Sequence, residues 1–476
     1  MATASLPEMR TVVETAALVR DRQVSAVEVL EATLAAIDAR NAPMNAFVHL
    51  DADGARRAAR DLDSRIAAGE TVGSLAGVPF GVKDLDDCAD MPTTRGSRWY
   101  QGQPPVTHDA LHVARLRAAG AIPVGKTATP EFGSWAYTAS PALGVTRNPW
   151  DPTRTPGGSS GGSSSAVSAG MVPFATASDG GGSTRTPAGF TGLVGLKASF
   201  GRIPDAIADR YAQTAVVGGL TTTVRDAARL LDVMAGPHNR DRISLPAPDV
   251  VYEDAIDVLD VRGLRVMWST DLGDAPVVDP EVVSLTRDAA GALVDAAGLQ
   301  WVERSVSFPG HIDVWSKLGA LERWINRADG LWPARADDLD PGVRRGFEAS
   351  EHLPVRKVAR VLTRRAEIEE GVAALFDTVD VICTPTAAVP AFEAEGPMPT
   401  TLLGRRVHAA AAVPFAMLAN LYGSPAISVP AGVTAAGLPV GLHIMGPRHR
   451  DDVVLRLARV FEQARPWPRL APLART

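Results

Sequence analysis

Two stretches decide how this chain is read: Pro156-Gly157-Gly158-Ser159-Ser160-Gly161-Gly162 and Asp179-Gly180-Gly181-Gly182-Ser183-Thr184-Arg185. Each sets a hydroxyl in backbone almost bare of side chains. Glycine runs cost conformational entropy, so a compact domain keeps them where the chain needs unusual dihedrals or a ligand must approach closely. The alternative is a flexible Gly/Ser linker. Flanking residues argue against it: Val167, Met171, Val172, Pro173 and Phe174 lie between the clusters, and Phe190, Leu193, Val194 and Leu196 follow. A linker does not alternate with core. Unhindered N–H groups beside a serine are also what an acyl-transfer enzyme needs to hold an oxyanion.

The chain has 476 residues, 46% hydrophobic and 21% charged, as in an ordinary globular protein. Its 48 basic and 54 acidic residues leave a net charge of −6 with no basic run, which argues against a nucleic-acid partner. Cys88 and Cys383 stand far apart, in no metal or redox spacing, and read as ordinary thiols of a reducing compartment. The N-terminus lacks the apolar stretch of a signal peptide, and no apolar run is long enough to span a membrane. A cytoplasmic protein with no membrane partner is expected.

Helices are expected over 9–40, 51–68, 109–119, 280–296 and 451–464, with one more inside 218–236 and a largely helical stretch over 311–376. Short apolar strands are expected at 75–82, 121–124, 263–268, 298–302, 379–383, 426–429 and 440–445. Such alternation is the pattern of an α/β protein.

Lys83, Ser159 and Ser183 are candidates for a nucleophilic set. A serine hydroxyl needs a base to remove its proton, and no histidine lies between His112 and His238. A lysine serves instead where burial brings its pKa down from ~10.4. The apolar run before Lys83 supplies burial, and Asp84 next door is expected to oppose it. Gly157-Gly158-Ser159-Ser160-Gly161 formally matches a nucleophile elbow, but the three prolines in 148–156 exclude the buried strand that the elbow requires. No P-loop lysine, dinucleotide-binding context or metal-ligand spacing is present, so no cofactor and no metal are expected.

The run 156–185 and its continuation to Ser199 resemble the signature of the amidase signature family, including the spacing of 24 from Ser159 to Ser183. Gly77–Asp84, Ala118–Phe132, Asp380–Thr386 and Gly423–Gly446 resemble its other blocks, and residues 240–375 match least. The resemblance implies one domain over 1–476 with a central mixed, twisted sheet of about 10–11 strands between helices. Its parts would be N-terminal helices (1–70), a catalytic core (71–240), a substrate-shaping region (241–375) and C-terminal strands and helix (376–476). It also implies a triad: Ser183 as nucleophile, Ser159 after a cis peptide as relay, and Lys83 as base. Gly180, Gly181, Gly182 and Ser183 would form the oxyanion hole, with Asp179 and Arg185 supporting the loop. Trp135, Tyr137, Trp315, Trp324 and Trp332 are candidates for an aromatic substrate wall. The expected activity is hydrolysis of a small aryl or alkyl amide by a monomer or homodimer. The alternatives are a carbamate or ester hydrolase (a urethanase, for instance) and the amidase-like component of an amidotransferase complex.

Overall fold

The computed structural model describes residues 11–205, 214–273, 277–327 and 330–474. Eleven strands form one sheet. In chain order they are β1 (Phe47–Leu50), β2 (Pro79–Lys83), β3 (Ile122–Thr127), β4 (Phe174–Asp179), β5 (Val194–Lys197), β6 (Val216–Thr221), β7 (Arg265–Trp268), β8 (Gln300–Trp301), β9 (Val381–Pro385), β10 (Ala426–Val433) and β11 (Pro439–Met445). Across the sheet they run β1-β3-β2-β4-β6-β5-β10-β11-β9-β7-β8. β3, β2 and β4 are mutually parallel, whereas β4 to β6, β5 to β10 and β10 to β11 are antiparallel, so the sheet is mixed as expected.

Successive strand residues point to opposite faces, and the core divides accordingly. Phe174 joins one buried cluster with Phe80, Val82 and Leu230, while Ala175 and Ala177 join another with Val124, Ala166 and Val167. The first face is covered by helices Val224–Met234, Pro280–Ala297 and Asp451–Ala464, and the second by Ala26–Met44, Ala52–Ala67 and Gly161–Ser168. Burial on both sides explains why these strands read as apolar runs rather than alternations. Among the described residues, no helix is long and apolar enough to cross a membrane.

Three differences from the sequence reading stand out. The helix expected at 9–40 is two, Val12–Arg20 and Ala26–Met44, because Ser25 caps the second with Glu28 in a capping box; residues 9 and 10 lie outside the description. The stretch 311–376 divides into helices His311–Arg327, Pro341–Ser350 and Val355–Phe376. Strands β1, β4, β5 and β6 were not expected. Alanine, serine and glycine in β4 (FATASD) and β6 (VVGGLT) have weak strand preference, and their smallness serves close helix packing instead.

Candidate active site

The parallel pairing of β2 with β4 brings together residues far apart in sequence. Phe80 lies opposite Phe174 in register, their rings stacked with centroids 4.9 Å apart. Both strands therefore end at the same edge, where Lys83 and Asp179 emerge. Open α/β sheets place ligands at such carboxyl ends.

Lys83 is fully buried, and its Nζ donates to Ser159 Oγ and Ser160 Oγ at 2.8 Å each and to Ser178 Oγ at 2.9 Å. These three hydroxyls exhaust its donors. Burial pushes its pKa down to about 7 against the opposing pull of Asp86 and Asp179. Asp84 is not the opposing charge that the sequence led us to expect. The residue after Lys83 leaves the backbone in the other direction, and its carboxylate accepts from Thr94 N at 3.0 Å and lies 3.8 Å from Lys126 Nζ.

The first glycine cluster is dictated by close approach. A Cβ on Gly158 would lie 2.4 Å from the Trp135 carbonyl and 2.6 Å from Tyr137 N. The Gly158–Ser159 peptide is cis. Ser160 precedes the helix Gly161–Ser168 but makes no side-chain cap, because its hydroxyl is turned to Lys83.

In the second cluster, Gly182 has φ +121°, a conformation that favours glycine. Its N–H donates to Asp179 Oδ1 at 2.7 Å. Gly182 is thus already committed and drops out of the expected oxyanion donors. The N–H groups of Gly180, Gly181 and Ser183 donate to no protein acceptor among the described residues. Ser183 is half-buried, and among the described residues no hydrogen bond joins its hydroxyl to that of Ser159.

Asp179 and Arg185 form a buried, bidentate pair. The Asp179 carboxylate also receives Thr184 N and Arg185 N, at 3.2 and 3.3 Å, so it gathers the loop around itself. Burial alone would raise its pKa; the Arg185 guanidinium outweighs burial and holds the carboxyl well below the usual range. Arg185 reaches Asn420 Oδ1 at 2.6 Å and His443 Nε2 at 2.8 Å. A guanidinium only donates, so Nε2 accepts and the proton of His443 is on Nδ1, facing Thr384 Oγ1 at 3.1 Å. Burial and the neighbouring Arg185 keep this imidazole neutral.

Of the five aromatic candidates, three gather at the glycine loops. Trp315 Nε1 donates to the Gly180 carbonyl at 2.6 Å, and its ring fills the space over Gly181, where a Cβ would lie 2.3 Å from Cζ2. Trp135 and Tyr137 stack with centroids 6.2 Å apart and pack with Trp315 against Phe190, Phe392 and Met417. Trp324 and Trp332 go elsewhere. They clamp Phe347, each at 5.4 Å between centroids, in a separate cluster with Leu331, Leu339 and Val343. Trp324 Nε1 is occupied by Ser350 Oγ at 2.8 Å. Helix packing, not wall building, accounts for that pair.

Residues 28–455 match the family model described as Amidase. The chain belongs to the amidase signature family. This amidase is 38% identical over 467 residues to an acylamidase of Rhodococcus erythropolis, with 95% of each chain covered. It is 36% identical to the amidase-like (A-type) chain of the glutamyl-tRNA(Gln) amidotransferase of Acidothermus cellulolyticus, over 96% of this chain and 94% of that one. A crystal structure of a bacterial aryl acylamidase of the same family superposes with a TM-score of 0.90 at 29% identity, covering 97% of both chains. The protein is a hydrolase acting on amide bonds.

Sequence reasoning about this amidase missed Ser160, Ser178, Asn420 and His443. Asn420 and His443 carried a signal, each being a lone polar residue in a buried apolar element, AMLANLY in the helix Ala416–Tyr422 and GLHIM in β11. Which site they serve depends on the sheet order, which no local pattern discloses.

Proposed function

We propose that the protein hydrolyses small aryl or alkyl amides through an acyl-enzyme on Ser183, with Ser159 as proton relay and Lys83 as base. The observation that carries this reading is the 2.8 Å contact from the buried Lys83 Nζ to Ser159 Oγ, made by an amine whose pKa is pushed down to about 7. A neutral amine near working pH is what general-base chemistry needs.

In this reading, neutral Lys83 takes the proton of Ser159 as Ser159 takes that of Ser183, and Ser183 Oγ attacks the carbonyl carbon. The contact between the two hydroxyls closes when substrate is bound, as catalytic hydrogen bonds commonly do. The developing oxyanion receives the free N–H groups of Gly180, Gly181 and Ser183, each worth about 3–4 kcal/mol when removed. Ser159 then protonates the leaving amine, and water attacks the acyl-enzyme by the same relay. Trp135, Tyr137 and Trp315, gathered beside these loops, support an aromatic or apolar substrate. Asp179 and Arg185 act as loop support.

Incubation with anilide, carbamate and ester of matched acyl group, with mass-spectrometric detection of the acyl group on Ser183, tests the reading. Adducts on another residue overturn it; faster turnover of the carbamate or ester replaces the amide by that substrate. The kinship with the amidase-like chains of amidotransferases supports a second reading, which native mass spectrometry of the co-purified protein addresses. A fully active monomer or homodimer, the cytoplasmic form we propose, excludes it.

A further inference from the structure

A second buried chain of polar groups runs into Lys83 from the side away from the serines. Lys83 ends β2, and the backbone turns at once: Asp86 N donates to Lys83 O at 2.9 Å, which folds the Asp86 carboxylate back towards the strand. On β4, Thr176 Oγ1 accepts the Lys83 backbone N–H at 2.8 Å and donates to Asp86 Oδ2 at 2.8 Å. His112, on the helix Leu111–Ala118, places Nε2 3.2 Å from the same Oδ2. His112 and Thr176 are fully buried and Asp86 nearly so. A carboxylate so far from water is costly unless paired, and His112 is placed to pair it.

We propose that Asp86, pinned by Thr176 and neutralised by a protonated His112, is a positioning residue that sets how readily Lys83 releases its proton. The proposal rests on the reading of Lys83 as the base. The charges around Lys83 are few. Asp86 is the foremost of those favouring its ammonium form and Asp179 the other, while Ser159, Ser160 and Ser178 supply neutral hydroxyls. Asp179 is already matched by Arg185. Around Asp86 stand His112, Lys83, Thr176 and Lys126, whose Nζ donates to the Asp86 carbonyl at 2.6 Å. Asp84 faces Lys126 and Thr94.

The physical need is a balance. Burial lowers the proton affinity of an amine, and an amine too reluctant to accept a proton is a poor base. A nearby carboxylate restores affinity, and an imidazolium on that carboxylate trims the restoration. Neither group touches the reacting atoms.

The test is the pH dependence of Ser183 phosphonylation by a fluorophosphonate probe, which needs no knowledge of the natural substrate. The Asp86→Asn variant removes the carboxylate charge, and its rising limb should move to lower pH by roughly one unit. The His112→Gln variant leaves the carboxylate uncompensated, and its limb should move the other way, whether or not Asp86→Asn folds. The Lys83→Ala variant serves as the reference. If it still reacts with the probe, the base itself is misassigned. If it is dead while both variants, folded by circular dichroism, keep the wild-type midpoint, Asp86 and His112 are structural only and the proposal fails.

Discussion

Arg185 and Asp179 meet through two parallel contacts, Nε to Oδ2 at 2.9 Å and Nη2 to Oδ1 at 2.8 Å, with both side chains sealed from solvent. Removing one partner strands the other as a buried charge. The Arg185→Met variant should therefore lose about 3–5 kcal/mol of stability in urea denaturation. Burial would raise the Asp179 pKa, but Arg185 and its companions depress it. The pair's contribution is thus complete above the unfolded carboxyl value of ~3.9 and is lost as pH falls below it. Wild type should lose stability on acidification through that window, and Arg185→Met should lose less. Equal acid sensitivity in the two proteins would show that other carboxylates govern.

Ser183→Ala should reduce turnover at least about a thousandfold with the circular dichroism spectrum unchanged. Ser159→Ala and Lys83→Ala should approach the same loss, and the double variants should add little, because the three groups act as one relay. Additive losses would mean independent roles.

Activity should rise with pH and level off on the alkaline side. Burial lowers the Lys83 pKa to about 7, so the free-enzyme profile of kcat/KM should have its rising limb near that pH. Lys83→Arg, whose guanidinium stays protonated, should have no such limb. A profile that falls from acid to neutral pH contradicts the base role.

Gly181→Ala has no space to occupy, since its Cβ would meet the Trp315 ring at 2.3 Å. The variant should fold and lose on the order of a hundredfold in kcat, as for loss of an oxyanion donor. Combining it with Trp315→Ala should recover part of that loss. Absence of any recovery would locate the damage in the loop backbone rather than in the indole.

His443 accepts a hydrogen bond from Arg185 and lies outside the Lys83–Ser159–Ser183 path. His443→Leu should cost about 1–3 kcal/mol of stability by stripping a buried donor of its acceptor. Turnover per folded molecule should stay within severalfold of wild type. A folded but inactive His443→Leu would point to a histidine base.

Much of the site was legible because its chemistry is written in order along the chain. Lys83 closes a compact apolar strand, and Ser159 and Ser183 sit in glycine where no core residue belongs. What stayed hidden depends on distance in sequence. Gly182 reads as a free donor until Asp179 is seen to hold its N–H. Trp324 and Trp332 read like Trp315, yet they are on a helix and loop that turn to Phe347. β4 and β6 escaped notice because small residues were selected for close approach rather than for strand preference.

The bond from Trp315 to the Gly180 carbonyl has a consequence for engineering. The indole comes from the stretch that least resembles relatives, yet it leans on the very peptide whose neighbours would cradle the reacting oxygen. Recognition and reactivity are therefore not separable modules in this protein. A chimera that imports a foreign 311–350 segment must also import a side chain of indole shape at that point, or the graft will alter rate along with preference.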